Sequence, residues 1–152
     1  MGSGFDIVPL DAGAVEACIS LEEASFSVPW GRQTLEQLMN SSAFRFFCAK
    51  DGEGFVCGYV GVLCACGEGQ ILRLAVLPSR RREGIGRALV EFIISSADVL
   101  RLERLTLEVR ASNEPAIRLY EGLGFLKTGE RKNYYSEPRE DAWLMDLDLG
   151  RR

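Results

Sequence analysis

The chain has 152 residues, of which 47% are hydrophobic and 26% are charged, with a formal net charge of −4 and no histidine. This composition supports a buried core and excludes an intrinsically disordered chain, and the negative charge disfavours general nucleic-acid binding, which requires a basic surface. The lack of histidine excludes Ser-His and Cys-His catalytic pairs, so a general base must be a carboxylate, a lysine, a tyrosine or water.

Signals for membrane insertion and secretion are not found in the sequence. The longest charge-free apolar run, residues 55–67, suits a buried strand and is too short to span a membrane. The first residues have neither the basic region nor the apolar core of a signal peptide. We therefore expect a soluble, cytoplasmic protein without a membrane partner.

The five cysteines are expected to be free thiols buried in apolar segments. An odd number without a secretory signal argues against a disulfide framework. Cys64 and Cys66 are closely spaced, but there is no second pair to complete a zinc site. We therefore expect no bound metal.

Hydrophobic periodicity and turn residues predict a single α/β domain over residues 1–152, with a mixed central sheet flanked by helices. In the first half, the predicted elements are a strand at 5–10, helices at 11–24 and 34–39, and strands at 44–50, 55–66 and 70–77. Asp11 is predicted to cap the first helix. The successive strands predict antiparallel pairing in this half.

In the second half, the predicted elements are a long helix at 84–102, a strand at 105–109, a helix at 113–123, and strands at 125–132 and 142–149. Pro115 suits the first turn of the shorter helix, and Gly124 suits its end. Strands that alternate with helices predict helical crossovers in this half of the sheet.

A basic, glycine-containing turn joins the strand that includes Leu74, Ala75 and Val76 to the long helix. Free N–H groups and a partial positive charge at a helix start attract anions, and glycines let a ligand approach the backbone. The turn also carries Arg80, Arg81, Arg82 and Arg87, so it suits phosphates. It is not a Walker A loop, and a leucine stands where a dinucleotide fingerprint needs its third glycine. An ordinary helix start with solvated arginines remains the alternative.

The pattern Arg81-x-x-Gly84-x-Gly86 resembles the pyrophosphate loop of the GNAT (GCN5-related) N-acetyltransferases, which hold acetyl-coenzyme A. The resemblance implies the GNAT fold and acetyl-CoA as co-substrate. The coenzyme-binding residues that it implies are Leu74, Ala75, Val76, Arg81, Arg82, Glu83, Gly84, Ile85, Gly86, Arg87 and Asn113. The strand backbone would pair with the pantetheine arm as an added strand, and the Val76 N–H would polarise the acetyl carbonyl.

The segment from Leu119 to Phe125 matches the GNAT helix pattern Leu-Tyr-x-x-x-Gly-Phe, whose tyrosine lies near the thioester sulfur. The resemblance implies that Tyr120 either protonates the departing thiolate or stabilises it by a hydrogen bond. It places the general base at Glu108, acting directly or through water. The alternatives are a solvated strand residue for Glu108, a packing role for Tyr120 and a helix cap for Asn113.

Further segments resemble the narrower RimI family of bacterial ribosomal-protein-alanine N-acetyltransferases, and this resemblance covers almost the whole chain. They are Ser27–Trp30, Glu108–Asn113, Arg131–Tyr135, Glu140–Ala142 and Met145. The resemblance implies acetylation of a protein N-terminus, most favourably a basic ribosomal protein that begins with alanine. Arg73 departs from the smaller polar residue expected there, at a position able to alter the substrate pocket.

Other readings of the sequence are an acetyltransferase for a lysine or a small amine, and a non-catalytic acyl-CoA-binding module. The presence of Glu108 and Tyr120 argues against the module, because coenzyme binding needs only the phosphate loop. For Tyr134 and Tyr135, substrate contact and cross-strand packing are equally open.

Overall fold

The computed structural model describes residues 4–150, which form one seven-stranded mixed sheet with five α-helices. The strands are β1 Phe5–Pro9, β2 Phe44–Asp51, β3 Val56–Ala65, β4 Glu68–Val76, β5 Arg104–Arg110, β6 Leu126–Ser136 and β7 Arg139–Asp148. The helices are α1 Val15–Ser25, α2 Arg32–Met39, α3 Ile85–Ser95, α4 Ala97–Leu100 and α5 Glu114–Gly122. The predicted α/β fold with a mixed sheet is confirmed. The outer ends of the expected 1–152 domain, residues 1–3 and 151–152, lie outside the described residues.

The sheet has the order β1-β2-β3-β4-β5-β7-β6, and β4 and β5 are its parallel neighbours. Successive strand residues point to opposite faces, and each face has its own core. On β3, Val60 belongs to the larger core, which includes α3 and α5. Tyr59 belongs to the smaller core, which includes α1 and α2. The two helix pairs therefore cover opposite faces.

Two predicted helix details are wrong. The long helix at 84–102 is divided at Ser96, where the backbone leaves the α-helical conformation between α3 and α4. Consecutive serines favour this break because their hydroxyls compete for backbone hydrogen bonds. A short 3₁₀ turn at Ala12–Ala14 precedes α1, and the Asp11 side chain makes no capping hydrogen bond. Gly13 lies in this turn and disfavours an earlier start of the α-helix.

A gap between β4 and β5 leaves space for a candidate functional site. The strands pair only over Glu68–Ile71 and Arg104–Leu107. Leu72 is the extra residue of a β-bulge, since Ile71 pairs with Val62 and Arg73 pairs with Gly61. A bulge bends the strand that contains it, so β4 turns away while β5 continues along β7. Within residues 4–150, no strand pairs with the β5-facing edge of β4 beyond the bulge.

Among the helices of residues 4–150, none combines the length and apolar character needed to cross a membrane.

Candidate active site

A cavity of about 400 Å³ lies at the gap between β4 and β5, and we call it the β4–β5 cavity. Its lining comes from the end of α1 and the α1–α2 loop at 25–28, β4 at 71–74, β5 at 107–110, α5 with its cap, and β6 with its turn at 134–137. The predicted residues Leu74, Glu108, Asn113 and Tyr120 all line it. Residues far apart in sequence therefore bring a carboxylate, a phenol and an open strand edge to one cavity.

Glu108 is held within the cavity wall rather than solvated. Its side chain is only 16% exposed, and its Oε2 lies 2.6 Å from Nε of Arg131. A hydrogen bond to Glu108 also raises the pKa of the Tyr134 phenol above its usual value. Glu108 is therefore half-buried and paired rather than freely solvated, and its role as general base stays a prediction. Its two partners on β6 instead fix the direction of the carboxylate.

Tyr120 is a packing residue and a cavity residue at once. It is 6% exposed, and its ring makes an edge-on contact with Phe125 at a centroid distance of 5.5 Å. Burial raises the pKa of its phenol well above the ordinary value. Because the raised pKa favours the neutral form, the hydroxyl keeps its proton at neutral pH and is available as a donor.

Asn113 caps α5, as one of the two alternatives predicted. Its Oδ1 accepts a hydrogen bond from the backbone N–H of Ala116 at 3.3 Å. The residue also lines the β4–β5 cavity, and its contact with the coenzyme stays a prediction.

The open edge of β4 presents N–H groups to the gap. The Leu77 N–H donates to the Cys57 carbonyl of β3 at 2.9 Å, and N–H groups alternate in direction along a strand. The N–H groups of Val76 and Leu74 therefore point away from β3. The Val76 carbonyl agrees with this direction, because it accepts a hydrogen bond from Nε of Arg81 at 3.3 Å. This edge has the form that an added strand, or a pantetheine arm, requires.

The basic turn before α3 contains arginines with different partners. Nε of Arg80 lies 2.9 Å from Glu83, and Arg80 also pairs with Asp51 at 3.4 Å. Arg87 pairs with Glu91 at 3.3 Å. Among residues 4–150, Arg82 makes no ion pair. Arg80 and Glu83 therefore stabilise the turn, and the contact of Arg82 with a phosphate stays a prediction.

The two glycines of the turn, Gly84 and Gly86, meet different structural needs. Gly84 has a φ of +82° and directly precedes α3, and a Cβ there would meet nothing within 4 Å. A Cβ on Gly86 would instead lie 3.5 Å from Leu119 and 3.6 Å from Val76. Gly84 thus leaves open space above a helix start, whereas Gly86 lets α3 pack closely.

Gly84→Val and Gly86→Val are expected to weaken coenzyme A binding, the first by at least about tenfold. A branched residue at Gly84 would occupy the space above the helix start and adopt a left-handed conformation that costs about 1–2 kcal/mol. Titration calorimetry with coenzyme A measures the change, and Gly52→Val, in the β2–β3 turn, is the control because a Cβ there also meets nothing. Unchanged affinity in folded Gly84→Val would exclude the turn from coenzyme binding.

Arg110 joins the two side walls of the cavity, a role that the sequence analysis did not find. Its guanidinium donates to the carbonyls of Glu137 and Pro138, both at 2.9 Å, and to Oγ of Ser27 at 3.3 Å. It also lies 4.3 Å from the ring centroid of Tyr135. The available signal was its position two residues after Glu108, which places both side chains on one face of β5.

Glu140 fastens the β6–β7 turn beside Arg110. Its Oε2 accepts a hydrogen bond from the Ser112 N–H at 2.6 Å, and Oε1 lies 3.4 Å from Nη1 of Arg110. The hydrogen bonds from Ser112 and the Arg110 charge lower the pKa of the Glu140 carboxyl below its usual value.

The free energy of unfolding is expected to depend on Glu140 only where this carboxyl is ionised. A lowered folded-state pKa gives stability that is present above the unfolded pKa of about 4.3 and is lost as the pH falls through the folded value. Denaturant unfolding of the wild type and Glu140→Gln should therefore differ at neutral pH and converge at acid pH, below the lowered folded-state pKa. Glu53→Gln controls for the loss of one exposed charge. A gap that stays constant down to acid pH would contradict this assignment.

The cysteine prediction is only partly correct. Cys18, Cys48 and Cys57 are buried and Cys64 is half-buried, and all five thiols are free. Cys66 is exposed because it lies in the turn between β3 and β4, with a φ of +53°. Among residues 4–150, no three Cys, Asp or Glu side chains are grouped as metal ligands would be.

Comparison with known proteins defines the class to which this fold and cavity belong. The Acetyltransferase (GNAT) family model matches residues 15–125. The ribosomal protein bS18-alanine N-acetyltransferase of Escherichia coli K12 is 32% identical over 145 residues, which are 94% of this chain and 97% of that protein. A Bacillus subtilis relative named as a putative enzyme of the same kind is 30% identical, over 86% of this chain and 87% of its own.

The solved structures agree with the sequence relatives. The crystal structure of the E. coli ribosomal-protein-S18-alanine N-acetyltransferase has a TM-score of 0.89 and 31% identity, over 97% of this chain and 96% of that one. The chain therefore belongs to the GNAT acetyltransferase family, in which its RimI relatives match it over nearly their full length. It is an acetyl-CoA-dependent N-acetyltransferase, and the predicted family and co-substrate are confirmed.

Proposed function

We propose that this protein acetylates the N-terminal α-amine of a protein that begins with alanine, most favourably a ribosomal protein. The observation that carries the proposal is the β4–β5 cavity, in which Glu108 and Tyr120 meet the open edge of β4. Relatives at 30–32% identity are named for acetylation of the alanine of ribosomal protein bS18, which supports the same acceptor here.

In the proposed complex, the pantetheine arm of acetyl-CoA lies along the backbone of Leu74, Ala75 and Val76. Its pyrophosphate lies at the start of α3, in contact with Arg81, Arg82, Gly84 and the neighbouring N–H groups. The Val76 N–H donates to the thioester carbonyl oxygen and stabilises the negative charge that develops there. Asn113 adds a contact from the cap of α5.

The reaction exchanges one bond for another. The amine nitrogen attacks the acetyl carbon, the C–N bond forms, and the C–S bond to coenzyme A breaks. Glu108 takes the proton that the amine loses, directly or through water. Tyr120 either gives its proton to the departing thiolate or stabilises it by a hydrogen bond. Arg131 and Tyr134 hold Glu108 in place for its step.

An α-amine suits this site better than a lysine. The pKa of a peptide α-amine is about 7.7–8.0 and that of lysine about 10.4, so the free energies needed to deprotonate the two amines differ by about 3.5 kcal/mol. No histidine is present, and the proposed base is the Glu108 carboxylate, acting directly or through water. A modest base is sufficient for an α-amine that is already partly neutral.

The proposed partner is a basic protein in the cytoplasm, with no direct contact to nucleic acid or membrane. The net charge of −4 attracts basic residues that follow the acceptor alanine, and salt weakens this attraction.

Two peptides of identical sequence test the acceptor. One has a free N-terminal alanine, and the other is blocked there and contains a lysine. Transfer of labelled acetyl from acetyl-CoA is expected on the first peptide and to be at least about tenfold slower on the second. Equal labelling of both peptides, or labelling of the blocked peptide alone, would contradict an α-amine acceptor and favour a lysine or a small amine.

A further inference from the structure

Glu22 is a charged side chain buried in the smaller core, and its carboxylate joins three elements. The residue is on α1 and is 0% exposed. Its Oε1 accepts a hydrogen bond from the Trp30 N–H at 2.7 Å, and its Oε2 accepts one from the Tyr59 hydroxyl of β3. Nε of Arg73, on β4, lies 3.2 Å from the same Oε2. A buried carboxylate without such partners is strongly destabilising, so these groups are mutually fixed.

Arg73 connects the buried Glu22 cluster to the wall of the β4–β5 cavity, because it pairs with Glu22 and also lines the cavity. Its guanidinium carbon lies 4.2 Å from the ring centroid of Phe26 and 4.1 Å from that of Trp30. Its Nη2 donates to the Val28 carbonyl at 3.1 Å. Two aromatic contacts, one ion pair and one backbone hydrogen bond therefore fix a single planar group. Through these contacts, Arg73 holds the α1–α2 loop against β4.

In the proposed complex, the held loop is one side of the route by which an acceptor reaches the thioester. Residues 25–28 of this loop line the cavity on one side, and Tyr134 and Tyr135 line it on the other. We call the space between these two sides the acceptor passage. Arg73 itself lines the cavity with 17% of its side chain exposed, one residue before the proposed pantetheine-binding segment. Arg110 links the two sides at Ser27 and Glu137. Arg73 fixes the neighbouring Phe26 and Val28, so the position of these two residues contributes to the width of the acceptor passage.

We infer that Arg73, anchored by Glu22, is a positioning residue that restricts this enzyme to acceptors with a small first side chain. The inference rests on the proposed function and identifies which residues select the acceptor. Arg73 acts through the α1–α2 loop and takes no part in proton transfer. Substituting Arg73 should therefore change acceptor binding and selectivity more than it changes the rate of the chemical step.

The test measures kcat and KM for three peptides that differ only in a first residue of alanine, methionine or leucine. The main variant is the pair Glu22→Gln with Arg73→Gln, which removes both charges and leaves no unpaired buried carboxylate. We expect the KM for the alanine peptide to rise about tenfold and the preference for alanine over leucine to fall about tenfold. The KM for acetyl-CoA should stay at the wild-type value.

Arg73→Lys is the conservative variant, and it keeps the charge beside Glu22 without the planar group that contacts Phe26 and Trp30. We expect this variant to fold like the wild type and to keep only part of the wild-type selectivity. If the double variant does not fold, Arg73→Lys alone provides the test. Arg32→Gln is the control, because this arginine pairs on the surface with Glu16 of α1 and Glu36 of α2 and does not line the cavity. Its selectivity should equal that of the wild type.

The outcomes separate the inference from the proposed function. If the wild type acetylates the alanine peptide and the folded Arg73 variants keep its full preference over leucine, Arg73 does not select the acceptor. A fall in kcat alone, with KM and selectivity unchanged, also contradicts the inference. If the wild type acetylates none of the three peptides, the proposed function itself fails.

Discussion

Replacing Glu108 with glutamine is expected to lower kcat by about 10²–10⁴-fold, the usual cost of removing a general base. Glutamine has the same shape and keeps an oxygen for Arg131 and a partner for Tyr134, so the cavity wall should remain intact. What it loses is the ability to accept the proton of the attacking amine. Steady-state kinetics at saturating acetyl-CoA and peptide, with calorimetry for coenzyme affinity, separate the two effects. Coenzyme affinity should be nearly unchanged.

Glu130→Gln is the matched control for this change. Glu130 is also a carboxylate paired with cationic neighbours, among them Lys132 at 3.3 Å, but it does not line the β4–β5 cavity. Its kcat should match that of the wild type. A Glu108→Gln rate equal to the wild-type rate across about pH 6–9 would show that another group, or water alone, accepts the proton.

Replacing Tyr120 with phenylalanine is expected to slow the chemical step by about 10²-fold while coenzyme A still binds. The ring and its contact with Phe125 are retained, so the variant removes only the hydroxyl that we propose assists the departing thiolate. Because burial raises the pKa of this phenol, the wild-type rate should show no loss from its ionisation near neutral pH. Single-turnover rates with enzyme in excess report the chemical step directly.

Phe125→Leu separates the packing role of Tyr120 from its chemical role. This substitution disturbs the same aromatic contact in the core but leaves the hydroxyl in place. Its melting temperature should fall, while its single-turnover rate should stay close to the wild-type rate. If Tyr120→Phe reacts at the wild-type rate, the residue only packs, and the thiolate leaves without help from it.

The parts of the fold that depend on local signals could be predicted from the sequence. The start of α5 follows from Asn113 and Pro115, because a cap and a proline act within one helical turn. Its end follows from Gly124, which has a φ of +102° that favours glycine. The basic turn before α3 could be located for the same reason, since its glycines and arginines lie close together in sequence, and its contact with the coenzyme stays a prediction.

The contacts that complete the site could not be predicted, because each joins residues that are distant in sequence. Arg131 reaches Glu108 across 23 positions, and the Tyr59 hydroxyl reaches Glu22 across 37. Hydrophobic periodicity places each residue on a face of its own element but does not give the partner on another element. Arg80 shows the same limit, since the sequence groups it with the arginines predicted to bind phosphate, whereas in the fold it pairs with Glu83 and Asp51.

One peptide that carries both a free N-terminal alanine and an internal lysine tests the central claim most directly. The wild type and Glu108→Gln are each incubated with this peptide and acetyl-CoA, and tandem mass spectrometry locates the acetyl group. Both amines then compete for one cavity at one pH. Acetylation at the N-terminal nitrogen by the wild type, and its near loss with Glu108→Gln, is the expected result. Acetylation at the lysine, or N-terminal acetylation that Glu108→Gln preserves in full, would contradict it.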